Sequence, residues 1–322
     1  MAETEIYEGI VPDEMAGERV DHALTRLFPD YSRSRLQSWL KDGQILLDGQ
    51  VRRAKDKVLG GEQVELQVVL SSENHWEAED IALNIVYEDE QLLVVNKPAG
   101  MVVHPAAGNF SGTMLNALLY YAPELEAIPR AGIVHRLDKD TSGLLVVART
   151  LQSQKSLVEQ LQARSFLREY DAIAQGVMTA GGTVDAPIGR HPVNRKRMAV
   201  TPNGKPSVTH YRVSTRYRLH TKLKVKLETG RTHQIRVHMA HINHPLLGDP
   251  VYSGRFKIPP ASDEAFVSCL KNFNRQALHA RHLGLMHPAS NEFIEWDVEA
   301  PQDMMVLEDA LRQDFEQHNK NG

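Results

Sequence analysis

The apolar positions of this chain change period several times, and each change marks an element. Val20, Ala23, Leu24 and Leu27 recur at helical spacing, and Pro29-Asp30 ends that helix. Ser32 suits an N-cap for a second helix with Leu36, Trp39 and Leu40 on its apolar face, closed by Gly43. Ile45–Leu47 then predicts a strand, Asp48-Gly49 a hairpin turn and Val51–Arg53 the returning strand. Val58, Val64, Leu66 and Val68 continue a small sheet. Residues 1–16 are acidic and aperiodic, which predicts an arm or edge strand, and 71–80 predict a linker.

From Ile81 a second, longer pattern begins. Leu92–Asn96 is a buried strand broken by Lys97-Pro98, and Met114, Leu115, Leu118 and Leu119 line a helix that Pro123 stops. Next comes Arg130–Ala148. Two apolar segments, Gly132–Val134 and Leu144–Ala148, predict strands around a polar loop carrying His135, Arg136, Asp138, Lys139 and Asp140. The loop closes in the turn residues Thr141-Ser142-Gly143. A charged loop held between strands fixes side chains at a rigid edge.

Leu157, Val158 and Leu161 mark a helix before a strand, Arg168–Ala174, that carries Tyr170. Lys222–Leu227 alternates strictly, with lysines on one face and Leu223, Val225 and Leu227 on the other. After Glu228-Thr229-Gly230, helical spacing places Arg231, Ile235 and His238 on one face. Leu278–Ala280 and Phe293–Val298 predict closing strands, and residues 313–322 a frayed tail. The ranges expected are thus an arm (1–16), a small domain (17–70), a linker (71–80) and a large domain (81–312).

Charge sharpens this picture. The net charge is only -4, yet residues 190–236 hold thirteen lysines and arginines against a single acid, Glu228. Such a block predicts a polyanionic partner. The loop 179–197, with Arg195, Lys196 and Arg197, is a candidate nucleic-acid surface, as are Arg33, Arg35, Arg52, Arg53, Lys55 and Lys57 in the small domain. One cysteine, Cys269, excludes an internal disulfide, and the acidic opening Met1–Glu8 lacks the regions of a secretory leader. No apolar run approaches the roughly 18 residues of a membrane span. These features predict a cytoplasmic protein. The histidines at 233, 238, 241 and 244 lack a His-Glu-x-x-His spacing and a carboxylate among them, so capping and packing are expected of them rather than a metal.

Arg-Val-Asp-His-Ala-Leu (19–24), Tyr-Ser-Arg-Ser-Arg (31–35) and Asp-Gly-Gln-Val (48–51) resemble an S4-type RNA-binding domain. His-Arg-Leu-Asp-Lys-Asp-Thr-Ser-Gly-Leu (135–144) resembles the active-site motif of the RluA-type pseudouridine synthases. Asn-Lys-Pro (96–98) with Val-His-Pro (103–105), Arg-Glu-Tyr (168–170) and Thr-Gly-Arg-Thr-His-Gln-Ile-Arg (229–236) resemble further motifs of that family, in order.

The resemblance implies an α+β chain: a small S4-like domain, then a mixed α/β synthase domain on a bent, mostly antiparallel sheet. It implies Asp138 as the catalytic carboxylate, Tyr170 facing the base, Arg231 as the partner of Asp138, and Arg136 entering the RNA stack when the target nucleotide flips out. Asp140 is the competing carboxylate, its place before the turn suiting a turn-stabilising acceptor. The implied reaction converts uridine to pseudouridine in 23S ribosomal RNA, in the large-subunit stem-loop at the intersubunit interface. It calls for no cofactor or metal, and for a monomer acting on the RNA or the large subunit without a membrane. Covalent attack and a detached-base route both need the carboxylate, and both stay open. A transfer-RNA synthase of the same family, a noncatalytic ribosome-binding protein and a metal-dependent RNA phosphoesterase are the other readings.

Overall fold

The structure, a computed structural model, describes residues 4–28, 33–69, 76–105, 109–195, 197–254 and 257–319. The chain divides into two compact units, Met1–His75 and Trp76–Gly322.

The first unit contains β1 (Thr4–Ile10), α1 (Val20–Leu27), α2 (Arg33–Lys41), β2 (Ile45–Leu47) and β3 (Gln63–Val69). The strands form an antiparallel sheet in the order β1-β3-β2, so the acidic arm is an edge strand. Val20, Ala23 and Leu24 of α1 pack with Leu36, Trp39 and Leu40 of α2 and with Ile45, Leu47, Val64 and Leu66. Asp48 and Gly49 both take positive φ, 49° and 74°, as a two-residue hairpin turn requires. Only Gln50 pairs back, however. Val51–Arg53 is not a strand, because the edge of β2 that the sheet uses belongs to β3.

The second unit contains β4 (Ile85–Glu88), β5 (Leu92–Lys97), α3 (Met114–Tyr121), β6 (Ser142–Ala148), α4 (Leu151–Gln162), β7 (Leu167–Gln175), β8 (Gly182–Asp185), β9 (Ile188–Arg190), β10 (Met198–Val200), β11 (Val208–Arg216), β12 (His220–Leu227), α5 (Gln234–His241), α6 (Glu264–Asn272), β13 (Leu278–Met286), β14 (Phe293–Asp297) and α7 (Gln302–Asn319). Among the described residues, nine strands make one sheet, ordered β4-β5-β6-β13-β7-β12-β11-β8 with β14 on β13. Only β6 and β13 run parallel. The sheet is therefore mixed and mostly antiparallel.

Every residue of β6 is buried, which is why its sequence is a continuous apolar run rather than an alternation. Leu145 and Val147 face the same core as Tyr170 and Ala172 of β7, whereas Leu144, Val146 and Ala148 face the opposite core with α4 residue Leu157. Gly143 sits at φ 115°, and a Cβ there would lie 2.2 Å from the carbonyl oxygen of Ala280. Glycine is what lets β6 approach β13 directly after the polar loop.

Three expectations change. Gly132–Val134 is no strand: Pro129–Gly132 forms a 3₁₀ turn with Arg130 and Ala131 left-handed, and Ile133 alone bridges to Val147. Residues 76–80 belong to the second unit, where Trp76 packs on the core and Asn116 donates to the Glu77 carbonyl at 2.8 Å. The tail is helical to Asn319: Met304, Leu307 and Leu311 bury one face of α7, and Arg218 pairs with the buried Asp314 at 2.9 Å.

Candidate active site

The loop from His135 to Thr141 lies between the Ile133 bridge and β6, and it is tied down from several directions. The Val146 N–H donates to His135 Nε2 at 3.1 Å, so the ring's proton sits on Nδ1. Burial, helped by the charge of Arg168, holds this imidazole neutral, with its pKa down to about 3. The Thr141 N–H donates to the Asp138 carbonyl at 3.1 Å, which closes the turn. Arg275 reaches the Asp140 carbonyl at 3.2 Å.

Beneath the loop lies Lys97, the largest fully buried side chain of the chain's described residues. Its ammonium donates to the carbonyls of Pro98, Met101 and Lys139 at 2.8, 3.0 and 2.9 Å. Three donors thus meet three acceptors. Burial nonetheless pulls its pKa down to about 7, against the opposing charges of Asp140 and Asp138.

This arrangement aims Asp138 into a cleft of about 840 Å³. Tyr170, Arg168, Arg136, Arg231, His233, Arg236 and His104 also line it. Lys139 and Asp140 do not. Among the described residues the carboxylate of Asp140 accepts no hydrogen bond; the turn uses backbone carbonyls instead. Of the two candidate carboxylates, Asp138 is the one that faces the cleft.

Its cationic partner is not Arg231 but Arg236, which corrects the sequence expectation. Arg236 Nη1 donates to Asp138 Oδ2 at 2.9 Å. The same guanidinium forks onto Asp249, with Nε–Oδ2 at 2.7 Å and Nη2–Oδ1 at 3.0 Å. Asp249 is fully buried and also accepts the N–H groups of Val251 and Tyr252. Burial works against the charge on Arg236, but Asp249 first and Asp138 second more than offset it, so the group is held cationic. Arg231 is exposed at the rim, and its Nε makes a long 3.4 Å contact with the Pro206 carbonyl. The reason is local. Helix α5 starts at Gln234, after His233 in the left-handed region at φ 56°, so Arg231 is not on the helix at all. Gln234 accepts the Arg231 N–H at 3.0 Å and so fixes the turn.

His233 completes this side of the cleft. Nδ1 lies 2.8 Å from the Tyr252 hydroxyl and Nε2 3.9 Å from Asp138. The Met198 N–H donates to the Tyr252 oxygen at 2.9 Å. Burial lowers the His233 pKa despite the pull of Asp138. Arg197 stacks over Tyr252, 5.1 Å from the ring centroid, and donates to the Val251 carbonyl. His238 sits between Thr209 Oγ1 and the Ala186 carbonyl, both at 2.9 Å, and His244 contacts the Gln175 carbonyl.

Across the cleft, Tyr170 stands on β7 between Val225 of β12 and Ala280 of β13. Burial raises its pKa, with Asp138 adding to the effect and Arg168 opposing it, so it is a neutral phenol.

The basic residues proposed for RNA contact divide. Arg136 is exposed at the cleft, and Arg195, Arg53 and Lys55 are exposed. Lys57 is exposed and donates to the Gly17 carbonyl at 2.7 Å. Arg52 is half-buried with its Nε unpartnered. Arg33 is engaged inside the first unit: with Arg19 and Gln37 it closes on the fully buried Asp21, at 2.6 Å. That carboxyl is held far below the usual range, the three donors outweighing burial. Arg33 is thus an ion-pair member before it is a phosphate contact. Lys196 and the Arg35 side chain lie outside the described residues.

Sequence comparison agrees with this architecture. Residues 91–241 match the RNA pseudouridylate synthase family and 18–64 the S4 domain. The chain is 56% identical over 319 residues to the ribosomal large subunit pseudouridine synthase D of Escherichia coli, covering 99% of this chain and 98% of that protein. It is 57% identical over 306 residues to the protein of the same name from Pseudomonas aeruginosa, covering 95% and 96%. Among solved structures, human RNA pseudouridylate synthase domain containing 4 superposes with a TM-score of 0.57 at 27% identity, over 71% of this chain and 93% of that one. The human domain containing 1 gives 0.55 at 26%, over 72% and 89%. With its motifs, fold and relatives in agreement, the chain belongs to the RNA pseudouridylate synthase family.

Proposed function

We propose that this enzyme isomerises uridines to pseudouridine in large-subunit ribosomal RNA, at the stem-loop of the intersubunit interface, through Asp138. The observation that carries this reading is the Asp138 carboxylate in the cleft, 2.9 Å from a guanidinium fixed by a second, buried carboxylate. The reaction breaks the N1–C1′ bond, turns the base and forms C5–C1′. The proton lost from C5 is balanced by one gained at N1. Asp138 attacks the nucleotide or assists the detached base; both roles need a carboxylate whose orientation is fixed. Arg236 supplies that orientation.

Tyr170 offers an aromatic face for the uracil. As a neutral phenol it relays a proton through its hydroxyl rather than acting as a strong base. Arg136, exposed beside Asp138, fits the space that a flipped nucleotide leaves in the RNA stack. The exposed Arg53, Lys55, Lys57 and Arg195, with Lys224 and Lys226 on β12, suit phosphate contacts that set orientation. The ribosomal target is supported by the relatives' names and by the S4 unit. The enzyme then works in the cytoplasm as a monomer.

The test is site-resolved pseudouridine mapping of ribosomal and transfer RNA after deletion of the gene, with complementation by wild type, Asp138→Asn and Asp140→Asn. Loss confined to the large-subunit stem-loop, restored by wild type and Asp140→Asn but not by Asp138→Asn, is the expected result. Loss only in transfer RNA overturns the substrate. Restoration by Asp138→Asn overturns the residue.

A further inference from the structure

Among the described residues, one buried cation of the cleft has no counter-charge. Arg168 stands on β7 two residues before Tyr170, so both side chains leave the same face of the strand. It is 7% exposed. Its Nη2 donates to the Glu228 carbonyl at 3.1 Å, and its Nε is buried with no hydrogen-bond partner. No carboxylate pairs with it among the described residues. The two acids that line the cleft are committed elsewhere: Asp138 to Arg236, and Glu228 to His210 at 2.6 Å and Arg164 at 3.4 Å.

The neighbouring turn leaves room for this side chain. A Cβ on Gly230 would lie 2.8 Å from Arg168 Nη1, so the Thr229-Gly230 turn leaves open the space that the guanidinium occupies. A buried, unpaired cation is costly to a fold. The neighbouring His135 and Tyr170 are both neutral and supply no counter-charge.

We propose that Arg168 is a further substrate-contacting residue: its uncompensated guanidinium takes a negatively charged oxygen of the bound RNA. This rests on the pseudouridylation reading above. Two oxygens have that chemistry. One belongs to a phosphodiester flanking the target uridine. The other is a uracil carbonyl, which gains negative charge when the N1–C1′ bond breaks and its electron pair leaves with the base.

The test compares full-length wild type, Arg168→Gln and Arg168→Lys on a stem-loop RNA containing the target uridine. A second RNA carries a neutral methylphosphonate beside that uridine. Melting temperature, RNA affinity and single-turnover rate at saturating RNA are measured. Arg168→Gln is expected to melt no lower than wild type, because an unpaired buried charge has gone. It is expected to lose about tenfold or more in function, the size of one charged hydrogen bond. If the oxygen is a phosphate's, the loss is in affinity, and the methylphosphonate RNA costs the variant nothing further. If it is the uracil's, affinity is kept and the single-turnover rate falls. Arg168→Lys recovers part of either loss. A variant that melts lower, yet binds and turns over like wild type when folded, overturns the proposal. Conversion by the wild-type chain tests the parent reading, whereas the variant-to-wild-type ratio tests Arg168, so the two fail separately.

Discussion

Replacing Arg236 with methionine is the most informative single perturbation of this protein. The side chain makes three charged hydrogen bonds, two to Asp249 and one to Asp138. Its loss leaves Asp249 fully buried with, among the described residues, two backbone N–H donors. Removing one partner of a buried ion pair typically costs about 3–5 kcal/mol, chiefly the penalty of the stranded charge. For a unit of this size each kcal/mol lowers the melting temperature by about 2–4 °C, so a fall of roughly 6–20 °C is expected by differential scanning fluorimetry. Turnover should disappear as well, because Asp138 loses the one guanidinium that reaches it among the described residues.

The two effects separate in the double variant Arg236→Met/Asp249→Leu. Removing both charges should recover much of the stability, as replacements of whole buried pairs often do. Pseudouridine formation should stay lost. Arg236→Lys should also be poor, since a point charge cannot fork onto one carboxylate and reach a second. Arg231→Ala, at the exposed rim, should leave the melting temperature within about 1 °C, as surface changes usually do. An Arg236→Met enzyme that melts like wild type and still turns over would refute this reasoning. So would an active double variant.

Two further outcomes follow from the cleft and the core. Tyr170→Phe keeps the ring and removes the hydroxyl; it should retain RNA affinity while slowing single turnover about 10²-fold, the lower range for a proton-transfer group. Full-speed conversion would remove the hydroxyl from the mechanism. Acid should destabilise the fold through its neutral buried histidines. Burial holds His135 down to about 3 and His220 to about 4, against 6.5 when unfolded. Below pH 6.5 the unfolded chain therefore binds protons that the native chain refuses, and stability falls as pH falls. The slope is about 1.4 kcal/mol per pH unit for each histidine. Denaturant melts of His135→Asn between pH 6.5 and about 4 should show a shallower fall than wild type. An identical slope would mean that the imidazole is not held neutral.

Much of this was legible from period alone. The strict alternation of Lys222–Leu227 and the continuous apolar run of β6 are direct consequences of one-face and two-face burial. The same pattern marks a polar loop before Gly143, but it is the resemblance to the synthase motif, not period, that singles out Asp138 within it. What the sequence could not disclose was which arginine reaches it. Arg231 and Arg236 stand five apart in one motif, and the choice depends on where the helix begins, which a left-handed His233 decides. It depends also on Asp249, whose fork fixes Arg236 from outside the motif. Arg168 is silent in the sequence for a similar reason, since an unpaired arginine is visible only once its burial and its neighbours are known. Helix α7 is hard to read from the sequence because its buried residues are sparse. Met304, Leu307 and Leu311 are its buried apolar residues among eighteen mostly polar ones, and they share a core with Phe266 and Leu270 of α6 and with Ile173, Tyr217 and Leu247 from distant elements.

The ammonium of Lys97 links two stretches of chain that pair only after folding. Its acceptors lie at 98 and 101, just past β5, and at 139, next to Asp138. The pairing of β5 with β6 brings residue 139 within reach of this ammonium. The tripod therefore couples the backbone beside Asp138 to the end of β5, 42 residues back in the chain, so that a change in the β5–β6 pairing is felt at the carboxylate.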